Sequence, residues 1–143
     1  MTQKQYAALV KEISPKSPMG KDCLYAFVIG GLICTLGQAI QNGWLAAGLT
    51  KDDAGAATAC CLVLLSAILT GLNVYNNIGR FGGAGSLIPI TGFANAVVSP
   101  AIDFKAEGIV TGMAAKMFTV AGPVIVFGSL ASVVYGVVLM LLR

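Results

Sequence analysis

The chain has 143 residues, no histidine, and charge on only 10% of its positions. A soluble domain typically carries about 25% charged residues. Beside a 57% apolar content, that shortage leaves too little polar surface to coat a water-soluble globule, and the chain falls into the membrane class. The lack of histidine, and of any CxxC spacing among Cys23, Cys34, Cys60 and Cys61, argues against a metal centre and against a disulfide framework. No nucleophile elbow occurs, so hydrolase chemistry has no residues to stand on. The chain reads as a non-enzyme without a cofactor. Its Gly82–Ser86 stretch lacks the GK[ST] ending of a phosphate-binding loop. Nor are basic residues interleaved with aromatics, as a nucleic-acid surface requires.

What charge there is has a pattern. Lys4, Lys11, Lys16 and Lys21 precede the first long apolar run, with Glu12 and Asp22 among them. The positive-inside rule makes this a cytoplasmic flank, so residues 1–22 form a cytoplasmic N-terminal segment. Within it Tyr6, Leu9, Val10 and Ile13 recur at helical spacing and predict a short amphipathic helix from Gln3 to Ile13. The SPKSP stretch, Ser14 to Pro18, ends it. Such a helix either lies on the headgroups or serves as a handle for a soluble partner. The apolar run after Lys21 is longer than the roughly 7–15 residues of a signal-peptide core and is expected to stay as an anchor.

Residues 23–143 predict a helical membrane domain. The first span, about 23–42, meets the roughly 20 apolar residues a bilayer requires. Ala26, Gly30, Gly31 and Thr35 give it a face that a neighbouring helix can approach closely. Asp52 or Asp53 is suited to cap the second span, about 54–75. The last span, 120–142, carries Gly128, Ser132 and Gly136 at intervals of four, with Arg143 beyond it. Ahead of it, 103–119 predicts an interfacial helix with Phe104, Ile109, Met113 and Met117 along one side.

The stretch from Arg80 to Gly108 is where function is expected. Phe81 to Ile102 runs twenty-two residues without a charge, long enough to cross. Yet Gly82, Gly83, Gly85 and Gly92 loosen it, Pro89 and Pro100 interrupt it, and Ser86, Thr91, Asn95 and Ser99 make it polar. In a helix interior glycine costs about 1 kcal/mol and proline about 3 kcal/mol relative to alanine. A membrane tolerates such backbone only inside protein or along a watery cavity, and a broken helix there points to a solute pathway. Freed helix N-termini attract anions. Arg80, Asp103, Lys105, Glu107 and Lys116 flank the stretch as candidates for attracting an anion or calcium. The other reading is a re-entrant loop that only fits against its neighbours. The fold class expected is an all-α integral membrane protein with three to four transmembrane helices, one segment being Gly/Pro-broken or re-entrant. A full crossing of 81–102 gives four spans; a dip and return gives three.

The sequences KDCLYAFVIGGLICTLGQAIQN (Lys21 to Asn42), GAGSLIPITGFAN (Gly83 to Asn95), the Glu107–Gly108 pair and AGPVIVFG (Ala121 to Gly128) resemble the SpoVA family of stage V sporulation membrane proteins. The likeness spans nearly the whole chain, and its length and N-terminal segment are those of the AC type. Ala96 stands where the family often has serine, and Pro123 where members commonly differ. The resemblance implies a multi-pass subunit of the spore inner membrane, in a complex that moves dipicolinic acid, as its calcium chelate, into the forespore and out at germination. It also implies mechanosensitive behaviour, an AE-type membrane partner and a soluble AD-type partner. So small a chain cannot enclose a wide pore alone, which points to an oligomer.

Overall fold

The structure, a computed structural model, describes residues 2–13 and 18–142. The predicted helix stop at 14–17 and the closing Arg143 lie outside the described residues. Everything described is helix or short connection, with no strand among those residues. The protein is an all-α membrane protein.

The amphipathic helix α1 runs Gln3–Ile13, and Tyr6, Leu9, Val10 and Ile13 on its apolar side are exposed. Three helices are long and apolar enough to cross a membrane: α2, Met19–Ala46; α3, Lys51–Gly71; and the run Ile109–Leu142, whose α-helical part is α7, Ala115–Leu142. Thr50, not Asp52 or Asp53, is the N-cap of α3. Its hydroxyl accepts from the Asp53 N–H and donates to the Asp53 carboxylate at 2.7 Å, a reciprocal arrangement that satisfies an orphan donor of the first turn.

α2 and α3 run antiparallel, which places Gly37 against Leu62 and Gly55 near Gln41. α3 ends earlier than the apolar pattern predicts, at Gly71. Asn73 is in the left-handed region at φ 58°, where asparagine is among the few tolerated residues. The turn it makes redirects the chain.

The stretch 75–103 is not one span. It is broken into α4, Tyr75–Gly82; α5, Ala84–Leu87; and α6, Ile90–Asp103. Gly83, at φ 48° and ψ −128°, separates the first two. Pro89, immediately before α6, separates the last two. Pro100 sits inside α6, where it removes one backbone donor. The direction of α6 follows from two pairings: Ser66 meets Thr91 and Thr70 meets Asn95. Both partners advance by four residues, so α6 runs parallel to α3. It starts beside Ser66, five residues short of the Gly71 end, or about 7 Å at 1.5 Å per residue. It then travels out towards the side where α3 stops. Residues 75–103 therefore double back beside the end of α3, and the described helices long and apolar enough to cross a membrane number three. A cysteine at Lys105, in a chain stripped of its native four, is expected to label with an impermeant maleimide from the same side as one at Asn73. A cysteine at Lys51 should label from the opposite side. Lys105 labelling together with Lys51 would mean a complete crossing.

The predicted interfacial helix over 103–119 takes another form. Lys105–Glu107 is a 3₁₀ turn, Gly108 turns at φ 104°, and Ile109–Ala114 is a π-helical turn that leads directly into α7. A Cβ on Gly112 would lie 2.2 Å from the Phe104 carbonyl oxygen. Only glycine lets the π turn close against the end of α6. α7 packs on α6, and from Val124 onward its residues are exposed, free to face lipid or other subunits.

Candidate functional site

The glycines of the middle stretch serve close approach. α5 crosses α2 so tightly that a Cβ on Gly85 would lie 1.9 Å from the Ala26 carbonyl oxygen, and one on Gly30 would lie 3.1 Å from the Gly85 carbonyl oxygen. Gly82 abuts Ile29 and Ser86, and Gly92 abuts the carbonyls of Ser86 and Leu87. Small residues permit such backbone contact inside a membrane protein. Gly83 meets nothing; its positive φ is what requires glycine.

Where these elements meet, a polar knot is buried. Ser66 and Ser86 have no exposed surface, Tyr75 keeps 2% and Thr91 keeps 5%. The Ser66 hydroxyl donates to the Thr91 carbonyl. The Tyr75 hydroxyl donates to the Ser86 carbonyl at 2.8 Å and shares a second hydrogen bond, of 2.9 Å, with Thr91 Oγ1. A phenol has one proton, so the Thr91 hydroxyl supplies that of the second bond. Ser86 Oγ closes locally onto the Gly83 carbonyl at 3.0 Å. One turn along, the Thr70 hydroxyl has the Ser66 carbonyl at 2.7 Å and Asn95 Oδ1 at 2.8 Å as acceptors, and its one proton is shared between them. No buried side-chain polar atom among the described residues is left without a partner, as a low-dielectric interior demands. A cavity of about 140 Å³ beside the knot is lined mostly by Ile33, Leu36, Leu62, Leu65, Leu69 and Ile78. Ser66, Tyr75 and Thr91 complete its wall, and because their hydrogen bonds are made within the chain the knot is a closed joint within one copy.

A second polar feature opens outward. At the shared end of α3 and α6, a recess of about 270 Å³ is lined by Thr70, Asn73, Asn76, Ser99 and Asp103, with Gly71 and Ile102 at its edge. The Asn76 carboxamide donates to Asn73 Oδ1 at 2.8 Å.

The expected residues are thus divided among different surroundings. Gly82, Ser86, Thr91 and Gly92 are buried in packing, and Gly85, Pro89 and Asn95 are half-buried. Ser99 and Asp103 line the recess. Arg80 is exposed on α4, near an apolar groove that Asn77, Ile78 and Phe81 form with α2. Lys105 and Glu107 are exposed on the 3₁₀ turn, and the Lys116 ammonium lies over the Phe104 ring at 4.0 Å, a cation–π contact. The charged residues that flank the stretch are not gathered into one cluster. Sequence reasoning missed Ser66, Thr70 and Tyr75 as partners of the middle stretch. The available signal was the matched spacing of two polar pairs, Ser66/Thr70 and Thr91/Asn95, each one helical turn apart.

A family model described as SpoVAC/SpoVAEB sporulation membrane protein matches residues 22–138. Over 137 residues, 95% of this chain and 91% of the relative, the sequence is 45% identical to the stage V sporulation protein AC of Bacillus subtilis (strain 168). No solved structure matches.

Proposed function

The chain belongs to the SpoVAC/SpoVAEB sporulation membrane protein family, and from that premise we propose that it is a non-enzymatic membrane subunit of the complex that moves dipicolinic acid, as its calcium chelate, across the spore inner membrane. In this reading the N-terminus is cytoplasmic, and the complex includes an AE-type membrane subunit and a soluble AD-type subunit. Dipicolinate enters the developing spore and leaves at germination, with membrane tension as a trigger. The observation that carries the proposal is the shallow re-entrant stretch, 75–103. It is a polar, glycine-hinged element packed between two helices that are long and apolar enough to cross a membrane, and irregular backbone inside a membrane persists only when it serves a cavity or a packed joint.

One observation favours a second role. Gly82, Gly85 and Gly92 are all filled by the chain's own atoms, so a single copy has no open path along this stretch. That suits a scaffold that braces the pore-lining element of a partner. One experiment separates the two. Arg80→Gln removes an exposed cation without touching the packing. Spores carrying this variant at unchanged protein level are expected to load dipicolinate about three- to tenfold more slowly, the effect of losing roughly 1 kcal/mol of attraction. The measurement is terbium fluorescence of released dipicolinate against an immunoblot. Normal loading would sink the pathway role for Arg80 and favour the scaffold.

A further inference from the structure

We propose that the recess between the ends of α3 and α6 binds a hydrated divalent cation, with Asp103 as its only full charge. The parallel course of α3 and α6, uncommon for neighbours so close in sequence, delivers two helix C-termini to one place. Each C-terminus carries a partial negative charge of about half an electron; the Ile68, Leu69 and Thr70 carbonyls of α3 and the Pro100 carbonyl of α6 are already taken by backbone N–H groups, so the helix ends act through their dipoles. Gly71 and Ile102, from those two last turns, edge the recess, and Asp103 is the final residue of α6. No lysine or arginine lines it. The Lys116 ammonium is stacked over the Phe104 ring instead. The first turn of α4, which supplies Asn76, brings an opposing partial positive charge, so the full charge of Asp103 decides the balance in favour of a cation.

The donors are all oxygen: the Asp103 carboxylate, the hydroxyls of Thr70 and Ser99, and two carboxamides. The hydrogen bond from Asn76 to Asn73 Oδ1 leaves a lone pair on Asn73 and the Asn76 oxygen for an ion. Carboxylate, carbonyl and hydroxyl oxygens suit hard cations such as calcium and magnesium. A space of about 270 Å³ exceeds a bare ion many times over. At about 30 Å³ per water it accommodates an ion that keeps much of its hydration shell. One carboxylate without a cluster of others places the affinity in the weak range, about 10⁻⁴ to 10⁻³ M. The site stands on local geometry and does not depend on dipicolinate being the transported solute.

The full chain in detergent micelles, titrated with calcium chloride in a potassium chloride background by isothermal calorimetry, is expected to bind one ion with a Kd near ~1 mM. Asp103→Asn should weaken binding about tenfold or more, a change of about 1.4 kcal/mol. Ser99→Ala should weaken it by less, and Lys51→Gln, at the opposite end of α3, should leave it unchanged. Three outcomes would overturn the proposal: no saturable binding, equal binding after Asp103→Asn, or competition by potassium at matched concentration. Tighter binding of n-butylamine hydrochloride than of calcium would also overturn it, assigning the recess to an ammonium side chain of a partner. Since no dipicolinate is present, failure here leaves the transport reading standing, and failure of transport leaves this result untouched.

Discussion

Gly85→Ala is expected to cost most of the chain's folded yield. The added methyl carbon would lie 1.9 Å from the oxygen, 2.7 Å from the carbonyl carbon and 2.8 Å from the Cα of Ala26. All three atoms are backbone in the middle of α2's helical ladder, so no rotamer change relieves the clash. Overpacking a close-fitting core costs about 1–3 kcal/mol and sometimes more, and total stability is only about 5–15 kcal/mol. With α5 levered off α2, the position of Gly83 and the approach to α6 go with it. The measurement is the thermal unfolding midpoint and monodispersity of the solubilised protein. A paired experiment sharpens the cause. Ala26→Gly should give no rescue, because the atoms struck are not its side chain. Gly82→Ala meets the Cγ2 of Ile29 at 2.9 Å as well as Ser86, so Ile29→Ala should recover part of that variant's loss. A Gly85→Ala protein as stable as its parent would mean that α5 and α2 do not cross this closely.

Tyr75→Phe is the second large effect, and it keeps the ring while removing a single oxygen. That oxygen joins the chain just after the α3 turn to both sides of the Pro89 break, through the Ser86 carbonyl and Thr91 Oγ1. Its loss strands a buried carbonyl. Leaving a buried acceptor unsatisfied costs about 1–3 kcal/mol. The Thr91 hydroxyl can turn to a nearby helical carbonyl, but the Ser86 carbonyl is fixed by α5, so a loss of about 1–2 kcal/mol is expected. The expected signature is local: faster amide exchange between Ala84 and Phe93, with α2 and α7 unchanged. Uniform loosening of all helices would make Tyr75 an ordinary core residue. Transport measured on this variant then asks whether the joint must stay shut for the complex to hold its solute.

The membrane class, the helical character and the fault line in the middle were legible because they rest on composition, charge placement and the two strongest helix breakers. Beyond their first turns α2 and α7 carry no charge, and the break at Pro89 lies where the pattern marks it, whereas Pro100 is carried inside α6 without interrupting it. The direction of α6 was not legible. Twenty-two uncharged residues look the same whether they cross or return. The deciding contacts, Ser66 with Thr91 and Thr70 with Asn95, join residues twenty-five apart that no local pattern links. The end of the second span was missed for a similar reason. Leu72 and Val74 continue the apolar run, and only the left-handed Asn73 stops it. The π turn at Ile109–Ala114 depends on Gly112 sealing against Phe104, a tertiary contact, so an amphipathic reading of 103–119 was the natural local answer. Of the site, the polar residues were legible singly. Their division into a closed joint and an open recess was not.

The Asn73–Asp103 recess lies at the Gly71 end of α3, with Lys51 at the other end. Under the channel reading proposed above, copies that share one orientation would set every recess on the same rim. A pore with such unlike mouths would rectify: at equal and opposite gradients, flux in one direction would exceed flux in the other.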